Sequence, residues 1–137
     1  MSRIAEQVTE QLRAAKAAAP SLSASPGSQR TDAILAIADA LEERTEEILA
    51  ANALDLEAGA QAGLDAALMD RLKLDQERVR GIADGARAVA AIDDPIDEEL
   101  EGHRLDNGLE LRKVRRPLGT VCIVYEGRPN VTIDAAV

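Results

Sequence analysis

The 137 residues suit one domain at most, and a net charge of −9 argues against a nucleic-acid or anionic-membrane surface. One cysteine excludes an intrachain disulfide and a cysteine-built metal cluster; no stretch reaches transmembrane length, and Met1-Ser-Arg-Ile-Ala-Glu-Gln7 lacks an apolar signal core, so a reducing cytoplasm is the plain setting. Apolar residues make up 46%, but alanine supplies much of that, with no Phe, no Trp and one Tyr (Tyr125), so a modest core is expected whose apolar faces need further polypeptide.

Ile4, Val8, Leu12 and Ala15 recur at helical spacing and predict a first amphipathic helix, ended by Pro20. Pro20-Ser-Leu-Ser-Ala-Ser-Pro-Gly-Ser28 reads as a loop, with Ser28 placed to cap the next helix. Ile34, Ile37, Ala38 and Leu41 form the core stripe of that second helix. The helical pattern continues through Ile48, Leu49, Ala53 and Leu56, with a break near Thr45, and ends at Gly59 to Gly63. A short helix follows around Asp65 to Leu72. Asp75 is placed to cap a helix bearing Val79, Ile82, Ala83, Ala86 and Val89, which Asp93-Asp94-Pro95 stops.

Every charged residue between Asp93 and Glu101 is acidic, which reads as a solvated connector rather than a cation site. The period then changes. Asp106-Asn107-Gly108 is a hairpin turn signal, because Asn and Gly tolerate positive φ. Leu109, Leu111 and Lys113 alternate with Glu110, Arg112 and Val114, as on a half-exposed strand, and Pro117-Leu118-Gly119 breaks it. Thr120 to Tyr125 is a nearly continuous apolar run, which suits a strand buried on both faces of a parallel sheet. Pro129 stands where a helix can begin, since its missing N–H costs nothing in a first turn. The pattern contains no internal repeat.

No Ser–His–Asp set, metal-ligand cluster, Walker loop or Gly-x-Gly-x-x-Gly occurs. Cys122, mid-strand between Val121 and Ile123, reads as a buried structural cysteine, because nothing nearby in sequence would lower its pKa. His103, the single histidine, reads as solvated or locally paired. Arg112, Lys113, Arg115 and Arg116 form the one basic cluster, either a charged strand that resists edge pairing or a phosphate-attracting patch. Glu126-Gly127-Arg128-Pro129-Asn130 follows the apolar run and precedes a helix start, a location that favours anions and oxyanions. Equally, Asn130 could be only a cap, and Glu126 with Arg128 only an ion pair.

Residues Pro117-Leu-Gly-Thr-Val-Cys-Ile-Val-Tyr-Glu-Gly-Arg-Pro-Asn-Val-Thr-Ile-Asp-Ala-Ala136 closely resemble the start of the cofactor domain in the γ-glutamyl phosphate reductase family, also called glutamate-5-semialdehyde dehydrogenase, of the aldehyde dehydrogenase superfamily. The likeness extends upstream through Ala50-Ala-Asn-Ala-Leu-Asp-Leu-Glu-Ala58, Leu68-Met-Asp-Arg-Leu-Lys-Leu74, Arg80-Gly-Ile-Ala-Asp84 and Asp106-Asn-Gly-Leu-Glu-Leu-Arg112, in the family's order. The Tyr-Glu-x-Arg-Pro-Asn-Val-Thr segment is the specific part, because general aldehyde dehydrogenases differ there.

The resemblance implies an α/β, aldehyde-dehydrogenase-like fold of which this chain is the N-terminal part. Residues 1–100 would form a mostly helical segment, 101–116 a β-hairpin of an oligomerisation element, and 117–137 the first strand and helix start of a Rossmann-like NADP-binding domain. It implies NADPH-dependent reduction of L-glutamyl 5-phosphate to L-glutamate 5-semialdehyde in proline biosynthesis, through a cysteine thioester. By position Asn130 would donate its amide to the oxyanion, and Tyr125 and Glu126 would line the nicotinamide end of the NADP(H) cleft. Arg128, by its charge and position, would suit the substrate's phosphate or carboxylate. The implied partners are the small-molecule substrate, glutamate 5-kinase and further copies in a homo-oligomer, with no metal, nucleic acid or membrane. The family's catalytic cysteine lies downstream of the matched region and Cys122 does not correspond to it, so the chain alone is expected to be inactive. The alternative reading is a non-catalytic helical interaction module that pairs with a full-length enzyme through its hairpin and open sheet edge.

Overall fold

A computed structural model describes residues 3–137. By contacts the chain divides into two compact units, Met1–Arg30 with Asp93–Cys122, and Thr31–Ile92 with Ile123–Val137. Among the described residues no helix is long and apolar enough to cross a membrane.

In the first unit, α1 spans Arg3–Ala24 and passes through Pro20 instead of ending there. Proline removes one backbone hydrogen bond and crowds the carbonyl four residues back, but its own φ is helical. Here the alanine-rich turn before it and a single turn after it remain helical. The expected loop therefore shrinks to Ser25 and Pro26, and α2 (Gly27–Glu43) takes Ser28 into its first turn rather than using it as a cap. The Pro26 carbonyl accepts from Gln29 N at 3.0 Å, starting that turn. No residue of α1 is buried; Ile4, Val8 and Leu12 all lie exposed along its stripe.

Strands β1 (Glu99–Arg104) and β2 (Glu110–Val114) pair antiparallel, with Glu101 opposite Lys113 and His103 opposite Leu111. The turn is as the sequence predicts. Gly108 has φ +86, Leu105 N donates to Leu109 O at 2.9 Å, and the Asn107 side chain accepts from Leu109 N at 3.0 Å. The strands are exposed on both faces, apart from half-buried Val114, so β2 is less covered than its alternation suggests. The acidic run and the basic cluster answer each other. Glu98 meets Arg115 at 2.7 Å, Glu101 meets Lys113 at 3.3 Å, and Asp97 pairs with Arg116. The connector is thus laced to β2 and its extension, and not merely solvated.

Residues 117–127 depart furthest from expectation. They enter no β-ladder, Leu118 is 95% and Val124 94% exposed, and Cys122 is exposed instead of buried. An apolar run becomes a two-face-buried strand only between two neighbouring strands. Among the described residues the only strands are the two of the hairpin, and they pair with each other.

In the second unit, the helical stripe of α2 is followed by α3 (Thr45–Gln61), with Arg44 as the break. Next come α4 (Ala66–Leu72) and α5 (Gln76–Ala90), each opened by an aspartate cap. Asp65 accepts from Leu68 N and Asp75 from Arg78 N, both at 2.8 Å. A last helix, α6, covers Pro129–Asp134. The buried cluster is Ala38, Ala83 and Ala86, with Ile34, Leu41, Ile133 and Val137 packed on it. A core of methyl groups contributes little per residue, at about 0.8 kcal/mol per buried carbon.

Polar ties supplement it. Asn52 is buried, donating to Leu72 O at 2.9 Å and accepting from Leu74 N at 2.8 Å, so it pins the α4–α5 connector to α3. Arg87 on α5 reaches Glu42 at 2.7 Å and Asp39 at 2.9 Å on α2. The hydrogen bond from Arg87 holds the Glu42 carboxyl below its usual range.

Candidate functional site

The four residues singled out by sequence lie on α6 and its approach, all exposed. Gly127, at φ +62, turns the chain where a side-chain-bearing residue would be strained, and Arg128 takes the position before the helix with no side-chain cap. Pro129 is the first helical residue, as its chemistry predicts. Asn130 is therefore inside the first turn and not a cap. Its Nδ2 donates to Asp134 Oδ2 at 2.9 Å, one turn along. The Tyr125 hydroxyl lies 2.6 Å from Thr132 Oγ1, which fixes the phenol against the same helix. Glu126 and Arg128 form no ion pair with each other among the described residues, so that bland reading falls away.

Pro129, Asn130 and Asp134 border a cleft of about 300 Å³ whose other wall is the end of α4, the α4–α5 connector and α5. That wall carries Arg71, Lys73 and Arg78, with Gly81 and Gly85 beneath. Arg78 is committed to structure, donating to Lys73 O at 2.8 Å and pairing with Asp70 at 2.8 Å. Arg71 and Lys73 make no ion pair among the described residues. Tyr125, Glu126 and Arg128 are not part of this cleft's lining. Sequence reasoning singled out none of the three cations, because they stand far from Asn130 along the chain. The one available signal was that Arg71 and Lys73 fall in the family-like segment Leu68–Leu74. Ile133, between Asn130 and Asp134 in sequence, lines a separate apolar cleft with Ile37, Leu41 and Ile48, rimmed by the Arg44–Glu47 pair at 2.7 Å.

His103 is exposed on the hairpin, 3.7 Å from Glu101. Among the described residues no group of three His, Cys, Asp or Glu side chains could hold a metal ion.

The chain is 47% identical over 131 residues to the γ-glutamyl phosphate reductase of Syntrophomonas wolfei, and 45% identical over 136 residues to that of Thermobifida fusca. These alignments cover 96% and 99% of the chain but 31% and 32% of the relatives, so the chain spans about a third of their length. Among solved structures, the γ-glutamyl phosphate reductase of Thermotoga maritima matches with a TM-score of 0.90 at 33% identity, over 93% of this chain and 31% of that one. The Saccharomyces cerevisiae enzyme of the same name matches at 0.82 and 30% identity, over 88% of this chain and 31% of that one. No family model matches the chain.

Proposed function

We propose that this chain, which has the sequence and fold of the N-terminal region of γ-glutamyl phosphate reductases, supplies the helical scaffold and one wall of the active site of an NADPH-dependent reductase. The reaction is conversion of L-glutamyl 5-phosphate to L-glutamate 5-semialdehyde and phosphate, in cytoplasmic proline biosynthesis. The carrying observation is identity of 45–47% across nearly the whole chain.

In this reading residues 1–100 form the helical segment, 101–116 the oligomerisation hairpin and 117–137 the opening of the cofactor domain. A thiolate displaces phosphate from the acyl carbon, the C–O bond to phosphate breaks, and a thioester forms; its reduction releases aldehyde and thiolate. NADPH, when bound, supplies the hydride. Asn130 donates its amide to the oxyanion that develops on the acyl oxygen at each addition. Tyr125, half-exposed and anchored through its hydroxyl, and exposed Glu126 suit a flat ring with a polar amide such as nicotinamide. Arg128, unpaired among the described residues, meets the substrate's phosphate or carboxylate. Cys122 has no base beside it in sequence, so the nucleophile comes from outside residues 1–137 and the chain alone is inactive. The full-length enzyme is a homo-oligomer that takes its unstable acyl phosphate from glutamate 5-kinase.

An NADPH-oxidation assay with L-glutamyl 5-phosphate tests this. The 137 residues alone give no turnover; joined to the downstream two thirds of the Thermobifida fusca relative they do. Asn130→Ala then lowers kcat by about 10²–10³-fold. A folded, active chimaera indifferent to Asn130→Ala removes the oxyanion role, and turnover by the 137 residues alone removes the claim about the nucleophile.

A second reading is a non-catalytic module that docks on a full-length enzyme, favoured by the exposed Leu109 and Leu111 of the hairpin and by the unpaired run 118–124. Native mass measurement of the chain alone and mixed with a full-length relative decides it: a monomer that forms no complex ends this reading.

A further inference from the structure

We propose that the cleft between Lys73 and Asn130 is a binding site for a small oxyanion, a phosphoryl or carboxylate group, held by Arg71, Lys73 and the Asn130 amide. The chain as a whole is acidic, with 25 acidic residues to 16 basic. The cleft inverts that balance, with three cations on its lining against one carboxylate, Asp134. Asp134 is the group that opposes an anion here, and it is partly satisfied by the Asn130 amide at 2.9 Å. An amide carries two N–H donors, so one remains for a ligand.

The cations divide by role. Arg78 spends its guanidinium on Asp70 and on the Lys73 carbonyl, which fixes the turn carrying the other two. Arg71 and Lys73 have no carboxylate partner among the described residues. The backbone on either side of Lys73 is held by buried Asn52, through its bonds to Leu72 O and Leu74 N. The charges therefore sit on a fixed frame, which lowers the ordering cost of binding. A methyl group at Gly81 or Gly85 would meet nothing within 4 Å, so the α5 wall leaves space beside the cations. The volume, about 300 Å³, lies at the small end of ligand pockets.

This inference shares Asn130 with the oxyanion role proposed above but is carried by Arg71 and Lys73, and its test measures binding without cofactor or turnover, so the two readings fail separately. The experiment is a ¹H–¹⁵N NMR titration of the 137-residue chain with inorganic phosphate and, separately, with glutarate, at constant ionic strength set by chloride. Saturable shifts at Lys73, Leu74, Gly81, Gly85 and the Asn130 side chain are expected, with Kd on the order of millimolar. The Arg71→Gln/Lys73→Gln chain, with an otherwise superimposable spectrum, weakens binding at least roughly fivefold, whereas Lys113→Gln leaves it unchanged. Saturation by phosphate alone assigns a phosphoryl ligand, by glutarate alone a carboxylate, and by both the shared oxyanion chemistry. Shifts that never saturate, or that fall equally on the hairpin cations, overturn the proposal. So does undiminished binding by Lys73→Glu.

Discussion

Asn130 Nδ2 donates to Asp134 Oδ2 at 2.9 Å, so the amide nominated as an oxyanion donor is oriented by a carboxylate of its own helix. Such a pair, four residues apart, steadies a helix by about 0.2–0.5 kcal/mol. In a helix of six residues that is a useful fraction of its local order. Asp134→Ala is expected to move the Asn130 side-chain NH₂ resonances toward solvent values and to speed their exchange. Unchanged resonances would show that the pair does not persist in solution.

Asn52 is the buried polar side chain among the described residues. Asn52→Ala leaves the Leu72 carbonyl and the Leu74 N–H without partners, and destabilisation of about 2–4 kcal/mol is expected from urea unfolding. Asn52→Asp keeps the acceptor for Leu74 N–H but sets a carboxylate oxygen against the Leu72 carbonyl. Burial beside that oxygen favours the protonated acid, which can donate, so this variant's folded pKa rises above its unfolded value. Its deficit is therefore smallest below about pH 4 and grows as pH rises. A pH-independent deficit would count against this geometry.

Two glycine substitutions are expected to act with opposite sign. A Cβ at Gly59 would stand 3.0 Å from Leu64 Cδ1 and 3.1 Å from Met69 Sδ, so overpacking outweighs the helix-propensity gain and Gly59→Ala loses about 1 kcal/mol. Gly81→Ala meets nothing within 4 Å and gains about 0.5–1 kcal/mol through helix propensity. Urea midpoints of the two variants on opposite sides of the parent's check this.

Cys122, exposed and outside any ladder, is expected to react with a thiol reagent in the native chain as completely as after unfolding. If it reacts only in denaturant, the run around it is covered in solution.

The helix starts at Asp65 and Asp75 and the Asn107-Gly108 turn were legible because each depends on a few adjacent residues. A carboxylate takes an N–H within the first turn, and a glycine accepts positive φ. Pro20 misled because its restriction concerns one hydrogen bond, and neighbouring residues supplied the helix regardless. Residues 120–125 misled for a different reason. An apolar run states what a strand would bury, but not whether neighbours are present to bury it. Asn130 was found because a strand–turn–helix pattern is local. Arg71 and Lys73 were missed because only tertiary packing brings α6 to the α4–α5 connector. The same holds for the pairing of Glu98 with Arg115, where each charge run was visible and their complementarity was not.

Arg30 and Asp94, 64 positions apart, meet at 2.6 Å with side chains only 17% and 24% exposed, next to the start of α2 at Gly27. The backbone N–H of Ile96, followed by the Arg30 guanidinium, holds the Asp94 carboxyl below its ordinary range. A carboxyl whose folded pKa is depressed contributes stability that is complete above its unfolded value, about 3.9, and is lost as pH falls from there through the folded value. Asp94→Asn removes that contribution at neutral pH and flattens the acid limb below about pH 4. Arg30→Gln removes one of the two causes, so its acid limb falls between parent and Asp94→Asn. Chemical denaturation of the three chains from pH 7 to about pH 2 is the measurement. If parent and Asp94→Asn lose stability in parallel through the acid range, other carboxylates govern acid unfolding and this tie contributes nothing to it.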